Sequence, residues 1–350
     1  MCEAVIMVFI VHCGPSGTPV PTIMYNSYPY CLIKLPYKSK FEFLIKVTSM
    51  KFFDSHAHYF DAWFNEYEGG AGALLDKIFS ENVGAIVNIA TNPENLKECI
   101  SQAQKYENMY VSSGIHPEDC LYIDDIDSAL AEIEASICDE ENRRANNIVA
   151  IGEIGFDYHL ENLTDEVKAK QRYVFERQMQ MAEKYGLPVI IHDREAHGDC
   201  FEMALKYPNV KGIFHSYSGS SEMARELTKR GWYVSFSGVV TFKNASRVRE
   251  VLSTIPLDKL LVETDAPYLA PHPNRGKMNH SGNLEYTVGM IASVFGKSLE
   301  EIAEITYNNA KNVYKYSAQH LVSPPNLDYL GRTSLNLPSQ SLAIAIFTAF

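Results

Sequence analysis

The sequence is poor in paired cysteines, in positive charge and in long apolar runs. Its 350 residues include seven cysteines, which are scattered and form no CxxC pair. This argues against a disulfide framework or a cysteine-rich zinc site and favours a reducing compartment. Lysine and arginine number 31 against 43 aspartate and glutamate residues, a formal net charge of −12. Such a balance argues against a broad basic surface for nucleic acid, but it leaves open a local site at which metal ions supply the positive charge.

The two ends of the chain carry few signals of regular structure. The longest apolar run near the start, Ala4–Val11, is shorter than the roughly 20 residues that span a bilayer. Glu3 stands where a signal peptide would carry basic residues, so we expect neither a membrane anchor nor export, and we predict a cytoplasmic protein. We predict that residues 1–49 form an irregular extension, with Met50 as an alternative start of the protein, and that residues 317–350 form an irregular tail.

Residues 50–316 repeat a pattern of short strands and helices. Eight β-rich runs recur, and they read as continuous apolar segments, which is typical of strands buried on both faces. The predicted strands are Lys51–Asp54, Ala85–Ala90, Met109–Ser113, Ile148–Gly152, Pro188–His192, Lys211–Phe214, Trp232–Ser235 and Lys259–Val262. Eight strands that alternate with helices predict an α/β fold, a (β/α)8 TIM-like barrel. An open doubly wound sheet is the alternative, and the lack of a GxGxxG motif after the first strand weighs against it.

Two of the predicted helices have clear boundaries. Thr164 is predicted to cap the start of one helix, because Asp165 follows in its first turn and Gly186 comes after its last. Ser298 and Glu301 have the spacing of a capping box at the start of another helix. Both helices lie where the alternating pattern of a barrel requires them.

Side chains of metal-ligand type follow five of the predicted strands, at the carboxyl end of each, where catalysis belongs in a barrel. They are His56, His58, Glu153, His192, His215 and Asp265. His56 and His58 are two residues apart, so both imidazoles point to the same side and can reach one ion. Each residue alone has an ordinary interpretation as a hydrogen-bonded polar group, but their recurrence at one end of the barrel favours a metal site.

We predict two divalent ions, because six ligands exceed the three that a catalytic zinc ion usually takes. The first ion is assigned to His56, His58, Glu153 and Asp265. The second ion is assigned to Glu153, His192 and His215, with Glu153 as the bridge. Imidazole suits Zn, Mn, Co or Ni, whereas Mg prefers oxygen ligands. Because Mg is abundant in cells, the identity of the bound ions stays open among Mg, Mn and Zn.

Six motifs in this region resemble those of a known family. FDSHAH, GIHPED, GEIGFDYH, IIHDRE, FHSYSGS and ETDAPYLAP followed by NRGK stand in the order and spacing of the TatD family of metal-dependent hydrolases. The resemblance covers residues 50 to about 316, and it implies a TIM-like barrel, a divalent-metal centre and phosphodiester hydrolysis, since several members are deoxyribonucleases. The family's metal residues fall on the same six positions. Phe156 and Ala266 stand where the family often has leucine and serine, and neither is an assigned ligand.

Further roles are predicted for residues in and around these motifs. Asp265 is the candidate to accept or shuttle the proton of the attacking water, although a role as ligand alone is equally open. Glu153 is catalytic through its bridge between the ions. Candidate contacts to substrate phosphate are His116, Arg194, Arg275 and Lys277. Tyr217 and Tyr268 are candidates to stack on a base, with simple packing as the plainer alternative.

The acidic charge balance favours a short substrate. An enzyme that engages a few nucleotides at a strand end needs less basic surface than a processive duplex binder. The charge balance therefore favours exonuclease-like chemistry on single strands or ends of DNA, or on another small phosphoester. Taken with the resemblance to the TatD family, which implies a deoxyribonuclease, we expect a 3′ to 5′ exonuclease-like deoxyribonuclease. The alternatives are a small-molecule amidohydrolase or phosphoesterase on the same barrel and a metal-stabilised partner protein without catalysis. Glu153 stands where some amidases have a carbamylated lysine, which weighs against an amidase of that type.

Overall fold

The computed structural model describes residues 50–314 and four short strands outside that range. These four form two antiparallel pairs, Val8–Phe9 with Ala345–Ile346 and Tyr30–Leu32 with Leu44–Lys46. The rest of the predicted extension, 1–49, and of the predicted tail, 317–350, lies outside the described residues, so both boundaries stay predictions. Within the described part of the chain, no helix combines the length and the apolar character needed to cross a membrane.

Eight parallel strands form the wall of a barrel, and each pairs with its neighbours in chain order. They are β1 (Phe52–Ala57), β2 (Val83–Ile89), β3 (Met109–Ser113), β4 (Ile148–Asp157), β5 (Val189–Arg194), β6 (Gly212–Phe214), β7 (Tyr233–Phe236) and β8 (Leu260–Val262). A parallel bridge between Ala57 and Ala266 brings the end of β1 against the segment after β8. This nearly closed ring confirms the (β/α)8 barrel, and its sequential strand order is not that of a doubly wound sheet.

Ten α-helices follow or separate the strands within residues 50–314. They are α1 (Gly70–Ser80), α2 (Pro93–Ala103), α3 (Ile126–Ile137), α4 (Glu140–Ala145), α5 (Asp165–Tyr185), α6 (His197–Lys206), α7 (Ser221–Lys229), α8 (Ser246–Leu252), α9 (Leu284–Phe295) and α10 (Leu299–Val313). The side chain of Thr164 accepts a hydrogen bond from the Val167 amide at the start of α5, and Gly186 ends that helix in the left-handed conformation. Ser298 and Glu301 form the predicted capping box of α10. The predicted start and end of α5 and the predicted start of α10 are therefore confirmed.

A cluster of buried side chains closes the inside of the barrel at one end, and we call it the apolar floor. It consists of Phe53, Ala85, Val87, Ile89, Tyr110, Ala150, Ile190, Ile213, Leu261, Ala310, Val313 and Tyr314. Because it joins residues of seven strands to the last helix, it lies within the ring of strands. The ring of Phe53 stacks with those of Tyr110 and Tyr314, at centroid distances of 6.3 and 6.1 Å. A larger apolar core packs the outer faces of the strands against the helices.

β4 continues beyond its predicted end at Gly152 and reaches Asp157. Its pairing with β5 shifts register between Ile151 and Ile154, so the strand is irregular at Glu153. Gly155 has a φ of 148° and lies so close to β5 that a Cβ there would stand 2.0 Å from the His192 carbonyl oxygen. The prediction ended this strand before Glu153, whereas backbone pairing with β5 continues to Asp157, and Ile154 and Phe156 of this stretch are buried in the larger apolar core.

Candidate metal centre

All six predicted ligands meet at the carboxyl-terminal mouth of the barrel, above the apolar floor. They stand at or just after the ends of β1 (His56 and His58), β5 (His192), β6 (His215) and β8 (Asp265), and within β4 (Glu153). Parallel strands present their carboxyl ends at one side of a barrel, which explains why residues so far apart in the chain lie together. Four of the six, His56, His58, Glu153 and His215, are buried.

The first group of donors surrounds the two histidines of β1. The Nε2 atoms of His56 and His58 lie 3.1 Å apart, and the Asp265 Oδ1 atom lies 3.5 Å from the first and 3.3 Å from the second. The Nδ1 atom of His58 lies 3.1 Å from the carbonyl oxygen of Ile89, which fixes the imidazole ring. The ligand atoms of His56, His58 and Asp265 are close enough to hold one metal ion.

The second group of donors surrounds Glu153. Its Oε1 atom lies 2.6 Å from His192 Nδ1 and 2.7 Å from His215 Nε2. The two histidine nitrogens are 3.3 Å apart. His116, predicted as a phosphate contact, also belongs here, because its Nε2 atom lies 3.6 Å from Glu153 Oε1. His116, Glu153 and His192 form a further set that could hold an ion, as do His56, Glu153 and His215.

Two buried carboxylates stand behind the second group, and sequence reasoning missed both of them. Asp157 Oδ2 lies 3.0 Å from His192 Nε2, and Glu263 Oε1 lies 3.3 Å from His215 Nδ1. Glu263 also accepts a hydrogen bond of 2.7 Å from the Ser216 amide. A carboxylate on the far nitrogen of a ligating histidine orients the ring and makes it a stronger donor. Both residues lie inside quoted motifs, GEIGFDYH and ETDAPYLAP, which was the available signal.

Asp54 joins the end of β1 to the segment after β8. Its Oδ1 atom accepts hydrogen bonds from the amides of Thr264 at 2.9 Å and His56 at 3.3 Å. Its Oδ2 atom accepts a bond of 2.5 Å from the Thr264 hydroxyl. Burial raises the pKa of Asp54 to about 7, although these hydrogen bonds oppose the shift. The residue therefore fixes the backbone next to His56 and Asp265.

The charges within the cluster depend on one another. Burial on its own would raise the pKa of Glu153, but the imidazoles of His215 and His56 hold it well below its usual range. Burial would lower the pKa of His192, but hydrogen bonds to Asp157 and Glu153 raise it to about 9. The buried carboxylates thus require positive charge beside them, which protonated imidazoles or a metal cation can supply.

The donor set fits divalent metal ions. Imidazole nitrogens and carboxylate oxygens point at one another across 2.6 to 3.6 Å. The facing Nε2 atoms of His56 and His58 cannot both carry hydrogen without repelling each other, whereas both lone pairs can bind a cation. A mixed nitrogen and oxygen set of this kind suits Zn or Mn.

The predicted substrate contacts occupy different surroundings. Arg194 is exposed and lies beside the second group, with its Nη1 atom 3.8 Å from Asp157 Oδ2. Arg275 and Lys277 are also exposed, and the guanidinium of Arg275 lies 4.2 Å from the ring centroid of Phe242. Of the two alternatives for Tyr217, stacking on a base and simple packing, the structure supports packing. Its ring packs in the core, and its hydroxyl donates to the Ser220 carbonyl at 2.9 Å.

Tyr268 differs from Tyr217 because 45% of its surface is exposed. Its ring centroid lies 6.3 Å from that of His58, so it borders the first group of donors. Trp63, which the sequence analysis did not single out, lies 6.4 Å from Tyr268. An aromatic pair, of which Tyr268 is exposed and Trp63 half-buried, therefore stands at the edge of the candidate metal centre.

A TIM-like barrel with this cluster at its mouth defines a metal-dependent hydrolase. The model of the family described as "TatD related DNase" matches residues 53–315. The chain belongs to the TatD family of metal-dependent hydrolases, as its motifs indicate.

Curated relatives and solved structures agree with this family. The chain is 37% identical over 267 residues to the metal-dependent hydrolase YabD of Bacillus subtilis, covering 75% of this chain and 98% of that protein. It is 31% identical over 275 residues to the metal-dependent hydrolase YcfH of Escherichia coli, covering 77% and 98%. The crystal structure of YjjV, a TatD homolog from Escherichia coli, matches with a TM-score of 0.67 and 26% identity over 76% of this chain and 98% of that one.

Proposed function

We propose that this chain is a deoxyribonuclease that hydrolyses phosphodiester bonds at strand ends, in the 3′ to 5′ direction, with two divalent metal ions. The observation that carries the proposal is the position of Glu153 between two groups of imidazoles. Its Oε2 atom faces His56 at 3.3 Å and His58 at 3.6 Å. Its Oε1 atom faces His192 at 2.6 Å and His215 at 2.7 Å. A carboxylate whose two oxygens face separate nitrogen groups is suited to bridge two ions.

The two ions would have separate ligands apart from this bridge. The first would be held by His56, His58, Glu153 and Asp265, and the second by Glu153, His192 and His215. His116 is a further candidate for the second ion because of its 3.6 Å distance to Glu153. Ions held there would polarise a phosphoryl oxygen and lower the pKa of water towards about 7. Mn and Zn suit the imidazoles, and Mg is the third ion to be compared.

We propose that Asp265 accepts a proton from the attacking water. Its side chain is 16% exposed, compared with 4% for Glu153, so it is open to the mouth of the barrel. Burial would raise the pKa of Asp265, but the hydrogen bond with His58 and the charges of His56 and His215 hold it below its usual range. The carboxylate is therefore ionised at neutral pH and available as a base.

Arginine side chains would hold the substrate backbone. Arg194 is exposed next to His192 and offers a fork that matches phosphate geometry. Arg275 and Lys277 are exposed on the segment after β8 and can contact a phosphate further from the centre. With a net charge of −12, these few cations support binding of a strand end better than binding of a long duplex.

The reducing interior of the cell is the expected place of action. The described part of the chain contains the free cysteines Cys99, Cys120, Cys138 and Cys200. Free thiols are usual in the cytoplasm, where disulfides are rare. We therefore propose a cytoplasmic location.

The proposal is tested by incubating the purified protein with end-labelled single-stranded DNA, duplex DNA and RNA. Mg, Mn and Zn are compared with a chelated control. We expect stepwise shortening of single-stranded DNA from its 3′ end, dependent on the metal. Glu153→Gln should lower the rate by about 100-fold or more, since it removes the charge of the bridge. Glu132→Gln, on the exposed side of α3, is the matched control.

Other outcomes identify other enzymes. Cleavage within the strand instead of at its ends would overturn the exonuclease assignment. Failure to cut any nucleic acid, together with metal-dependent turnover of 4-nitrophenyl esters or amides, would identify the alternative small-molecule phosphoesterase or amidohydrolase.

A further inference from the structure

An aromatic surface borders the candidate metal centre on the side of β1 and β8. Trp63 lies in the segment after β1, and Tyr268 lies in the segment after β8. Their ring centroids are 6.4 Å apart, and the planes are inclined by 49°. We call these two residues the aromatic shelf. Tyr268 is also 6.3 Å from the ring of His58, so the shelf stands directly beside the first group of donors.

Polar contacts hold both rings of the aromatic shelf in place. Asp61 accepts a hydrogen bond from the Tyr268 hydroxyl through Oδ2, and one of 2.7 Å from the Trp63 amide through Oδ1. The indole N–H of Trp63 donates to Glu66 Oε2 at 3.1 Å. The polar atoms of both rings are thus occupied within the protein. What the shelf offers a ligand is the flat aromatic face, held in advance of binding.

The surroundings of the aromatic shelf are acidic. Asp61 and Glu66 contact the rings directly, and Glu118 is close enough to act on the Tyr268 hydroxyl electrostatically. An uncharged nucleobase can stack on such a surface. A further phosphate placed next to the two rings would meet these carboxylates and be repelled, whereas Arg275 and Lys277 lie seven and nine residues beyond Tyr268 on the same segment.

The opposite side of the mouth carries one exposed cation, Arg194, among acidic groups. Its Nη1 atom lies 3.8 Å from Asp157 Oδ2, and Glu195, which follows it in the chain, is 63% exposed at its side chain. Arg194 follows His192 at the end of β5, four strands away from β1 in the ring of eight, and is 55% exposed at its side chain. A strand that enters past Arg194 finds one arginine fork for a phosphate, then the metal centre, and finally an aromatic surface with acidic edges. This order suits a strand that stops at the aromatic shelf.

We infer that the aromatic shelf is the subsite for the base of the terminal nucleotide. The strand ends there because a base is accepted and a following phosphate is not, and the bond presented to the metal centre is the first one inside the end. This inference rests on the proposed nuclease activity and adds to it the residues that select strand ends.

The test uses the metal-loaded full chain and single-stranded DNAs of one sequence. One is unmodified, one has an abasic residue at its 3′ terminus, and one has an abasic residue at its 5′ terminus. We expect the abasic residue at the cleaved end to raise KM by about 5- to 150-fold, the range for loss of one stacked base. The value of kcat should change little, because stacking stabilises bound substrate and transition state alike.

Variants test whether the aromatic shelf is the source of the preference for a strand end that carries its base over an abasic end. Trp63→Leu and Tyr268→Leu should raise KM for the unmodified strand and leave KM for the abasic strand almost unchanged. Tyr268→Phe keeps the ring and should keep most of the preference for a base. Tyr286→Leu removes a tyrosine that is 36% exposed on the outer helix α9, and it should leave the preference unaltered. Metal content and the thermal unfolding transition show whether each variant is folded.

Two results would overturn the inference in distinguishable ways. If the wild-type protein cleaves intact and abasic ends with equal KM, the shelf does not bind the terminal base, while the proposed nuclease function stands. If the metal-loaded protein cleaves none of the three strands, the proposed function fails and the inference fails with it.

Discussion

The apolar floor and the polar mouth of the barrel are built from the same strands but are under opposite demands. Phe53 of the floor and His56 of the mouth are three residues apart on β1, and both side chains are almost completely buried. Phe53 packs against other aromatic rings, which lowers the free energy of the folded state without any polar partner. His56 is surrounded by imidazoles and carboxylates that are stable only when their charges balance.

The stability of the barrel therefore depends mainly on the apolar floor, whereas its chemistry depends on the charged residues of the mouth. The floor loses stability when a side chain is shortened, because a cavity remains. The mouth is expected to lose metal binding and turnover when a single charge is removed, although the volume of the side chain hardly changes. The comparison can be tested by changing each region in turn and measuring both stability and chemistry.

The largest effect is expected for Asp265→Asn in the mouth. The amide keeps the size of the side chain but is a poor proton acceptor, so turnover should fall by about 10²- to 10⁴-fold. Metal affinity should fall less, because His56, His58 and Glu153 remain. Asp258→Asn, an exposed aspartate near the start of β8, is the matched control. Recovery of full turnover at saturating Mn would leave Asp265 as a ligand only.

A comparably large effect on stability is expected for Phe53→Ala in the floor. Phe53 is 1% exposed and also packs on Tyr307, with ring centroids 5.5 Å apart. The free energy of unfolding should fall by about 3–5 kcal/mol, as for other buried phenylalanines. Chemical denaturation measures this loss, and metal titration of the folded variant should give nearly the wild-type affinity. A parallel drop in metal affinity would contradict the separation of floor and mouth.

The smallest of these effects is expected for Asp157→Asn, behind the second group of donors. Loss of the carboxylate that bonds His192 Nε2 should lower metal affinity by about 10- to 100-fold, with turnover largely restored at saturating metal. Asp193→Asn is the matched control, since Asp193 bonds His197 at 2.8 Å instead of a proposed ligand. Calorimetric titration of the metal-free proteins compares them. Equal affinities for the two variants would show that Asp157 does not support the site.

Much of the mouth could be predicted because its residues follow apolar runs. The predicted strands ended close to the observed ones for most of the barrel, and the spacing of His56 and His58 indicated that both rings face one point. Glu153 was placed correctly at the mouth although β4 extends past it to Asp157. The two tyrosines show the limit of this reasoning. Tyr217 is 4% and Tyr268 is 45% exposed, yet each follows a strand end.

The order of strands and helices, their apolar faces and the residue types at each strand end could be predicted from the sequence, because these features depend on neighbours along the chain. Which carboxylate meets which histidine depends on the folded barrel. Asp157 reaches His192, whereas Asp193, the residue that follows His192 in the chain, bonds His197 instead. The fold of the barrel also brings Trp63 and Tyr268, far apart in the chain, onto one surface. Such pairings depend on the closure and register of the barrel, which bring distant residues together, and local sequence patterns do not specify those distances.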